Sequence, residues 1–171
     1  METRVFFSFH YGGDIWRAKQ VRNSNVVAGI DVAGFFGRSE YEEAEKKGVG
    51  AIRQMILRNL AGTSVTVVLA GKDTANRPWV REEIKLSIAQ NNGLLGIYIH
   101  HLGDRYGQTG FWQPTKPAVP LGVEFPAHDW DGDLNRLRRE IDTAGRRADA
   151  MRARAASANH KSEKIARQPS W

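Results

Sequence analysis

The sequence contains no cysteine among its 171 residues. Disulfide bonds, thiolate metal sites and thiol nucleophiles are therefore excluded. No apolar run reaches the roughly 18 residues that a transmembrane helix needs, and the first residues lead directly into a strand-like segment rather than into a signal peptide. We therefore expect a cytoplasmic protein that does not associate with a membrane.

Two phosphate-binding fingerprints are also missing. The sequence has neither GxGxxG nor GxxxxGK[ST], so neither a Rossmann dinucleotide turn nor a P-loop is indicated. A receiver domain that is phosphorylated on aspartate is set aside as well. Such a domain needs acidic residues at its strand ends, whereas the first predicted strand ends in Ser-Phe-His and the central one in Ala-Gly.

The net charge of +6 is unevenly distributed along the chain. Residues 134–171 carry ten Lys and Arg against four Asp and Glu, and residues 1–133 balance at fifteen of each. Nucleic acid is not expected as a partner, because the basic segment has no interleaved aromatics and no binding motif. A nucleic-acid-binding module remains an alternative that rests on this segment alone.

Short apolar runs that alternate with helical patterns predict an α/β fold with a parallel sheet. The run over residues 65–70 is typical of a central strand covered on both faces. Residues 4–9 and 94–100 predict two further strands, and Pro78 marks the start of a helix that ends near Asn92.

Other parts of the chain have weaker patterns. The helix that opens near Ser39 contains Gly48 and Gly50, which weaken it and could split it. Asp14 is a candidate N-cap for a helix that follows a glycine-containing loop. The remaining predictions are a short strand at 26–30, a glycine-rich loop at 31–38, an irregular loop at 103–120, a brief strand at 121–125 and a helix at 134–155 that begins after Asp131 or Asp133.

These patterns divide the chain into three parts. Residues 1–133 are predicted to form the α/β domain, and residues 134–155 a helix that packs on it or extends from it. Residues 156–171 are rich in Ser, Asn, Lys and Arg, which predicts a basic and flexible tail.

The helix after the central strand carries a candidate for chemistry. Glu83 lies one turn after Trp79 and one turn before Ser87, which places its carboxylate on the flank of the apolar stripe. The position is close to the edge of the sheet where open α/β proteins bind ligands. Spacing alone favours an ordinary surface glutamate in a first helical turn.

The adjacent histidines His100 and His101 follow another predicted strand. Successive residues on a strand point to opposite faces, so a paired metal site is not expected.

Five segments, in order, resemble the TIR-like domains of the Thoeris antiphage system over roughly residues 4–104. They are RVFFSFH (4–10), WRAKQVRN (16–23), TVVL (66–69), TANRPWVREEI (74–84) and GIYIH (96–100). The resemblance implies a flavodoxin-like α/β fold, an open and mainly parallel sheet with helices on both faces. It also implies an enzyme that cleaves the nicotinamide to ribose bond of NAD and could cyclise the remaining ADP-ribose.

The same resemblance implies a catalytic role for Glu83, because the catalytic glutamate of such domains lies four residues after a tryptophan. Ser8 matches the first loop of the nucleotide pocket. We expect NAD to be bound by Phe7, Ser8, His10, Tyr11, Asp14, Arg17, Asn76, Arg77 and Trp79. Four of these have simpler alternatives: a helix cap for Asp14 and for Asn76, a surface pair for Arg17, and core packing for Trp79.

NAD is expected as the substrate, with no separate cofactor and no metal. The resemblance further implies a trigger derived from phage and a separate effector that reads a diffusible nucleotide signal, and self-association is possible. The alternative is a non-catalytic TIR-like module for signalling or nucleotide binding, because a fold alone does not decide function.

Overall fold

The computed structural model describes residues 3–27, 30–34 and 38–166. These residues form five strands and five α-helices, and β1 and β3 have the bounds that the sequence predicts. The strands are β1 (Arg4–Phe9), β2 (Asp31–Gly34), β3 (Val65–Ala70), β4 (Gly93–Tyr98) and β5 (Ala127–Asp129). The helices are α1 (Tyr11–Val27), α2 (Arg38–Lys47), α3 (Val49–Leu60), α4 (Pro78–Ala89) and α5 (Leu134–Ala166).

All five strands join in one parallel sheet with the order β2-β1-β3-β4-β5. This order is that of a flavodoxin-like fold, and it confirms the predicted class. Strand β2 lies on one side of β1 and β3 lies on the other, so the strand order along the chain changes direction between β1 and β3. There Ser8 pairs with Val68 and Phe9 with Leu69. Open α/β sheets bind ligands beyond the carboxyl ends of their strands at such a switch point.

Helices cover both faces of the sheet. On one face α1 and α5 pack against β1, β3 and β4, and the side chains that they bury there include Ala18, Val21, Leu137 and Ile141. On the other face α2, α3 and α4 pack through two clusters of buried apolar side chains. Residues of β3 are buried on both sides, as the continuous apolar run of this strand predicts.

The first helix begins earlier than predicted. Tyr11 already belongs to α1, so the predicted loop is absent, and Asp14 lies in the first turn instead of at the cap. The carbonyl of His10 accepts the first helical hydrogen bond from the Asp14 amide at 2.8 Å. The His10 ring folds back over Gly13, where a Cβ atom would come within 2.7 Å of Nδ1. A side chain at position 13 would therefore displace this ring.

The second strand lies at Asp31–Gly34, and the prediction of a strand at 26–30 and a loop at 31–38 is wrong. Val26 and Val27 end α1, while residues 28, 29 and 35–37 lie outside the described residues. Three pairings with β1 define the strand, and the Arg4 side chain meets the Asp31 carboxylate at 2.7 Å. Pairing with a neighbour outweighs local β propensity in such a short edge strand.

Glycine and asparagine end two helices where the backbone turns left-handed. Gly48 (φ +95°) separates α2 from α3, which confirms the predicted split. Helix α4 ends at Ala89, before the predicted Asn92, and Asn91 has a φ of 58°. The Asn92 amide then donates to the Ser87 carbonyl, closing the C-terminal turn.

The C-terminal part differs from the prediction in two places. No strand forms at 121–125, and β5 lies at Ala127–Asp129 instead. Helix α5 begins after Asp133, whose Oδ1 accepts from the Arg136 amide at 3.0 Å, and this confirms one of the two predicted caps. The helix continues through residues 156–166, so the predicted flexible tail is helical there; residues 167–171 lie outside the described residues. The division of the chain into domains stays a prediction.

The irregular loop predicted at 103–120 is confirmed, because no helix or strand lies between Tyr98 and Ala127. Within the described residues, no helix has both the length and the apolar character that crossing a bilayer requires.

Candidate active site

Glu83 and Ser8 meet in the interior at the switch point of the sheet. Ser8 lies on β1 with no exposed surface, and Glu83 lies on α4 with 6 % of its surface exposed. The Ser8 hydroxyl donates a hydrogen bond of 2.5 Å to Oε2 of Glu83. The sequence predicted a carboxylate on the flank of the apolar stripe. The structure places it on the buried side of α4, beside Val80 and Ile84.

Burial dominates the acidity of this carboxyl group. It raises the pKa of Glu83 from 4.5 to about 8, against the opposing effect of the Ser8 hydrogen bond, which favours the ionised form. At neutral pH the group is therefore mostly protonated. A positive charge brought into the site would favour its ionisation.

A chain of buried hydrogen bonds fixes the backbone of Glu83. The Ser87 hydroxyl donates to the Glu83 carbonyl at 2.7 Å and accepts from the Thr66 hydroxyl at 2.7 Å. Thr66 in turn accepts from the Asn92 amide at 3.3 Å. Because every member is buried and partnered, these contacts lock α4 in one position on β3.

A cavity of about 740 Å³ opens above Glu83. Strand β1, the start of α1, helix α2, the start of α4 and residues 104–106 of the long loop form its walls. The structure brings together six of the predicted site residues in this cavity: Phe7, His10, Tyr11, Arg77, Trp79 and Glu83.

An aromatic wall forms one side of the cavity. Tyr11 and Tyr41 stack with ring centroids 5.1 Å apart and an angle of 14° between their planes. Phe9 lies 6.2 Å from Tyr11, centroid to centroid. Burial, followed by the negative charges of Glu45 and Glu83, raises the pKa of Tyr41 above its usual value of 10. The wall therefore offers flat, uncharged surfaces to a ring-shaped ligand.

Asp14 lies beneath the cavity rather than in its wall, with 3 % of its surface exposed. Its carboxylate accepts from Arg17 at 3.1 Å and from the Thr74 hydroxyl at 3.4 Å. A Cβ atom on Gly71 would come within 2.1 Å of this carboxylate, so any larger residue at the end of β3 would displace it. Burial raises the pKa of Asp14, and the charge of Arg17 opposes that effect.

Arg17 holds the long loop in place. Its Nε donates to the Leu102 carbonyl at 2.8 Å, and its Nη2 donates to the Gln108 carbonyl at 2.9 Å. Asp104 closes the turn between them by accepting from the amides of Tyr106 and Gln108. Arg17 is therefore not a surface pair, because it positions the loop residues that line the cavity.

Four predicted site residues do not line the cavity: Ser8, Asp14, Arg17 and Asn76. The first three support the wall from behind. Asn76 ends a short 3₁₀ turn, and Arg77, not Asn76, holds the N-cap position of α4. Neither predicted role of Asn76 is therefore supported by its position.

His10 and Arg77 both line the cavity, close enough for the charge of Arg77 to act on the imidazole. Burial and the nearby charge of Arg77 lower the pKa of His10 below 6.5. The Arg77 guanidinium lies 3.6 Å from the Asp73 carboxylate, and both side chains are partly exposed. A neutral imidazole beside a guanidinium favours an anionic or polar ligand group at this end.

The sequence analysis missed several lining residues: Trp16, Tyr41, Glu42, Glu45 and residues 104–106. Tyr41 and Glu45 lie one turn apart on α2, a spacing that sequence reasoning could have used. Residues 104–106 carry no periodic signal, because backbone contacts with Arg17 decide where they lie.

The two adjacent histidines converge, and the prediction that they point to opposite faces is wrong. Strand β4 ends at Tyr98, so the alternation of a strand does not extend to His100 and His101. Their ring centroids lie 5.2 Å apart at 79°. Neither ring lines the cavity.

The sequence is similar to known proteins of one family. Residues 6–104 match the sequence family described as "Thoeris protein ThsB, TIR-like domain". A protein of Bacillus cereus (strain MSX-D12) named "Putative cyclic ADP-D-ribose synthase ThsB1" is 45% identical over 141 residues, which cover 77% of this chain and 73% of that protein. The chain belongs to the Thoeris ThsB family of TIR-like domain proteins.

Proposed function

We propose that this protein is an NAD-consuming enzyme of bacterial antiphage defence that cleaves the nicotinamide to ribose bond and cyclises the ADP-ribose that remains. The observation that carries the proposal is the buried Glu83 carboxyl group on the floor of the cavity, held by Ser8 at the switch point of the sheet. The name of the relative, a cyclic ADP-D-ribose synthase, supports the same reaction.

The first step breaks the bond between C1′ of the ribose and the nicotinamide nitrogen. The electron pair of that bond goes to the nitrogen, so nicotinamide leaves as a neutral molecule and positive charge develops on C1′ and the ring oxygen. Such an oxocarbenium-like state is stabilised by a carboxylate fixed nearby. Glu83 supplies that carboxylate from a buried position, where a fixed charge stabilises the transition state more than it would in water.

The substrate itself prepares Glu83 for this role. Without ligand the carboxyl group has a pKa of about 8 and is mostly neutral at pH 7. The nicotinamide ring of NAD carries a positive charge, and its arrival favours loss of the proton. Binding of NAD therefore creates the charge that the transition state requires.

The cavity walls suit the rest of the molecule. Phe7, Tyr11 and Trp79, together with Tyr41 from α2, offer stacking surfaces for the nicotinamide or adenine ring. Arg77 supplies a positive charge for the pyrophosphate, and His10 a polar ring. Ser8, Asp14 and Arg17 act as positioning residues, and we assign no contact with NAD to Asn76.

Cyclisation requires that a second nucleophile of the same molecule reach C1′ before water does. A stack of aromatic side chains can hold the adenine end folded back toward the ribose, which raises its effective concentration. The cyclic product would serve as a diffusible signal for a separate effector, and a phage-derived trigger and self-association would control its synthesis.

The product of the reaction tests this proposal. Purified protein is incubated with NAD, once at high protein concentration and once in lysate of phage-infected cells. The nucleotide products are then separated, and their masses are measured by mass spectrometry. Cyclic ADP-ribose is lighter than linear ADP-ribose by one water, so the masses distinguish cyclisation from hydrolysis. Nicotinamide with a cyclic product is the expected result, and unchanged NAD under both conditions would contradict the proposal.

A further inference from the structure

Three side chains that have no part in the NAD cavity come together at the ends of β4 and β5. His100 and His101 follow β4, and Asp129 ends β5. One ring nitrogen of each histidine and one carboxylate oxygen of Asp129 all lie within 4.8 Å of one another. Two imidazoles and one carboxylate form a set of ligands that transition metals use widely in proteins.

The contacts of His101 leave one ring nitrogen ready to bind a metal. Its Nε2 lies 2.6 Å from the carbonyl oxygen of Trp130. A carbonyl only accepts, so Nε2 carries the proton and Nδ1 keeps a free lone pair. Metal-binding histidines typically donate their second ring nitrogen to a carbonyl or carboxylate, which fixes the tautomer and the ring.

His100 provides a second and independent observation. Its side chain is buried, with 9 % exposed. Its Nδ1 has no hydrogen-bond partner within the described residues. A buried polar atom without a partner costs free energy, and its neighbourhood is fixed, because the His100 carbonyl accepts from the Gly110 amide at 2.6 Å. A bound cation would supply the missing partner of the His100 ring nitrogen.

The ligand types select the class of metal. Calcium and magnesium prefer six or more oxygen ligands, whereas zinc accepts imidazole and carboxylate with four ligands in a tetrahedron. Ligands at 2.0–2.2 Å from zinc lie about 3.4 Å apart in that geometry. Small rotations of the three side chains would close the present separation to this value.

We propose that His100, His101 and Asp129 bind one divalent transition-metal ion of the zinc class. The ion would fasten the end of β4 and the start of the long loop to β5. Residues 104–106 of that loop line the NAD cavity, so the ion would also stiffen one wall of it. The site is separate from Glu83, and its existence does not depend on the proposed reaction.

Metal uptake by the full chain, prepared without a histidine tag and dialysed against a chelator, tests this site. Cobalt(II) serves as the spectroscopic probe and zinc as its competitor. We expect one ion per chain, a visible cobalt absorption that zinc abolishes, and a rise in Tm with zinc. In His100→Gln, His101→Gln and Asp129→Asn the affinity should fall by about tenfold or more.

His160→Gln is the matched control, because His160 lies exposed on α5 far along the chain from the three ligands. This variant should bind cobalt like the wild type. Circular dichroism confirms that each variant is folded, and Asp129→Asn keeps nearly the original shape. Absence of cobalt uptake by the folded wild type would overturn the proposal. So would a cobalt affinity in all three ligand variants that equals that of the wild type.

Discussion

Ser8 and Glu83 are 75 residues apart in the sequence, yet the hydroxyl of one donates a 2.5 Å hydrogen bond to the carboxylate of the other. The two side chains face each other because β1 and β3 are neighbours and α4 crosses above them. Burial favours the neutral form of Glu83, and the hydrogen bond favours the charged form. The balance between these two effects underlies the first three predictions.

The rate should depend on pH through Glu83. In the free enzyme the pKa of Glu83 is about 8, so kcat/KM for NAD should rise about tenfold per pH unit below 8 and then level off. The rising limb of the pH profile of kcat should lie at lower pH than that of kcat/KM, because the bound nicotinamide cation favours the ionised form of Glu83. Initial rates of nicotinamide release between pH 5.5 and 9.5 provide the measurement. A kcat/KM that stays constant from pH 6 to pH 9 would contradict this assignment.

Ser8→Ala should move that limb to higher pH. A hydrogen bond to a charged group contributes about 1.5–3 kcal/mol, which corresponds to a shift of about one to two pH units. Activity at pH 7 should therefore fall about tenfold to a hundredfold, and it should recover in part at pH 9.5. Ser24→Ala is the control, because the Ser24 hydroxyl donates to the Gln20 carbonyl on the exposed part of α1. An unshifted limb in Ser8→Ala would show that the hydrogen bond does not tune Glu83.

Glu83→Gln should change how stability depends on pH. The pKa of Glu83 is raised in the folded state, so its contribution is fully present below about 4.5 and is lost as pH rises through about 8. Between pH 5 and pH 9 the free energy of unfolding of the wild type should therefore fall relative to Glu83→Gln, by ~3–5 kcal/mol. Urea unfolding at both pH values measures this difference. Glu82→Gln should follow the wild type, because Glu82 is partly exposed and lies 3.6 Å from the Arg53 guanidinium.

Arg17→Ala should release the long loop. Arg17 pairs with the buried Asp14 and bonds to two carbonyls of the segment 102–108. Leaving a buried charge without its partner costs about 3–5 kcal/mol, and hydrogen exchange of residues 102–108 should accelerate. Lys19→Ala, on the exposed side of the same helix, should show neither effect.

The double variant Arg17→Ala with Asp14→Asn separates the two roles of Arg17. It removes the unpaired charge, so stability should recover in part, but the loop contacts remain lost and exchange should stay fast. Slow exchange of residues 102–108 in either variant would mean that Arg17 does not hold the loop.

Tyr41→Ala should weaken the binding of NAD. Stacking of a base on an aromatic side chain contributes about 1–3 kcal/mol, so KM should rise about fivefold to a hundredfold while kcat changes little. Tyr41→Phe keeps the ring and should retain the wild-type KM. An unchanged KM in Tyr41→Ala would exclude this ring from the binding surface.

The central strands could be predicted from the sequence, and the edges of the sheet could not. β1 and β3 are mostly apolar, and every residue of the two strands except Arg4 is buried. The edge strands β2 and β5 are short, and pairing with β1 and β4 is what makes them strands. The helix over residues 134–155 was predicted, but its continuation to Ala166 was not, although Ala and Lys beyond Ala155 are good helix formers.

The candidate site shows the same division. The position of Glu83 could be inferred from its distance to Trp79 and from the family resemblance. Glu83 is buried against Ser8, which lies 75 residues away in the sequence, so no local sequence pattern indicates this burial. Residues 104–106 line the cavity because Arg17 donates to the backbone carbonyls of Leu102 and Gln108. Contacts with backbone atoms cannot be predicted from the pattern of side chains in the sequence.

The most direct test of the account compares nicotinamide release from NAD by the wild type, Glu83→Gln and Glu82→Gln under identical conditions. Glutamine keeps the shape of the side chain and removes its charge, and Glu82 is the adjacent residue on the same helix. We predict release by the wild type and Glu82→Gln, and a loss of at least about a hundredfold in Glu83→Gln, as is typical when a transition-state charge partner is removed. Equal release by all three proteins would show that Glu83 is not the catalytic carboxylate.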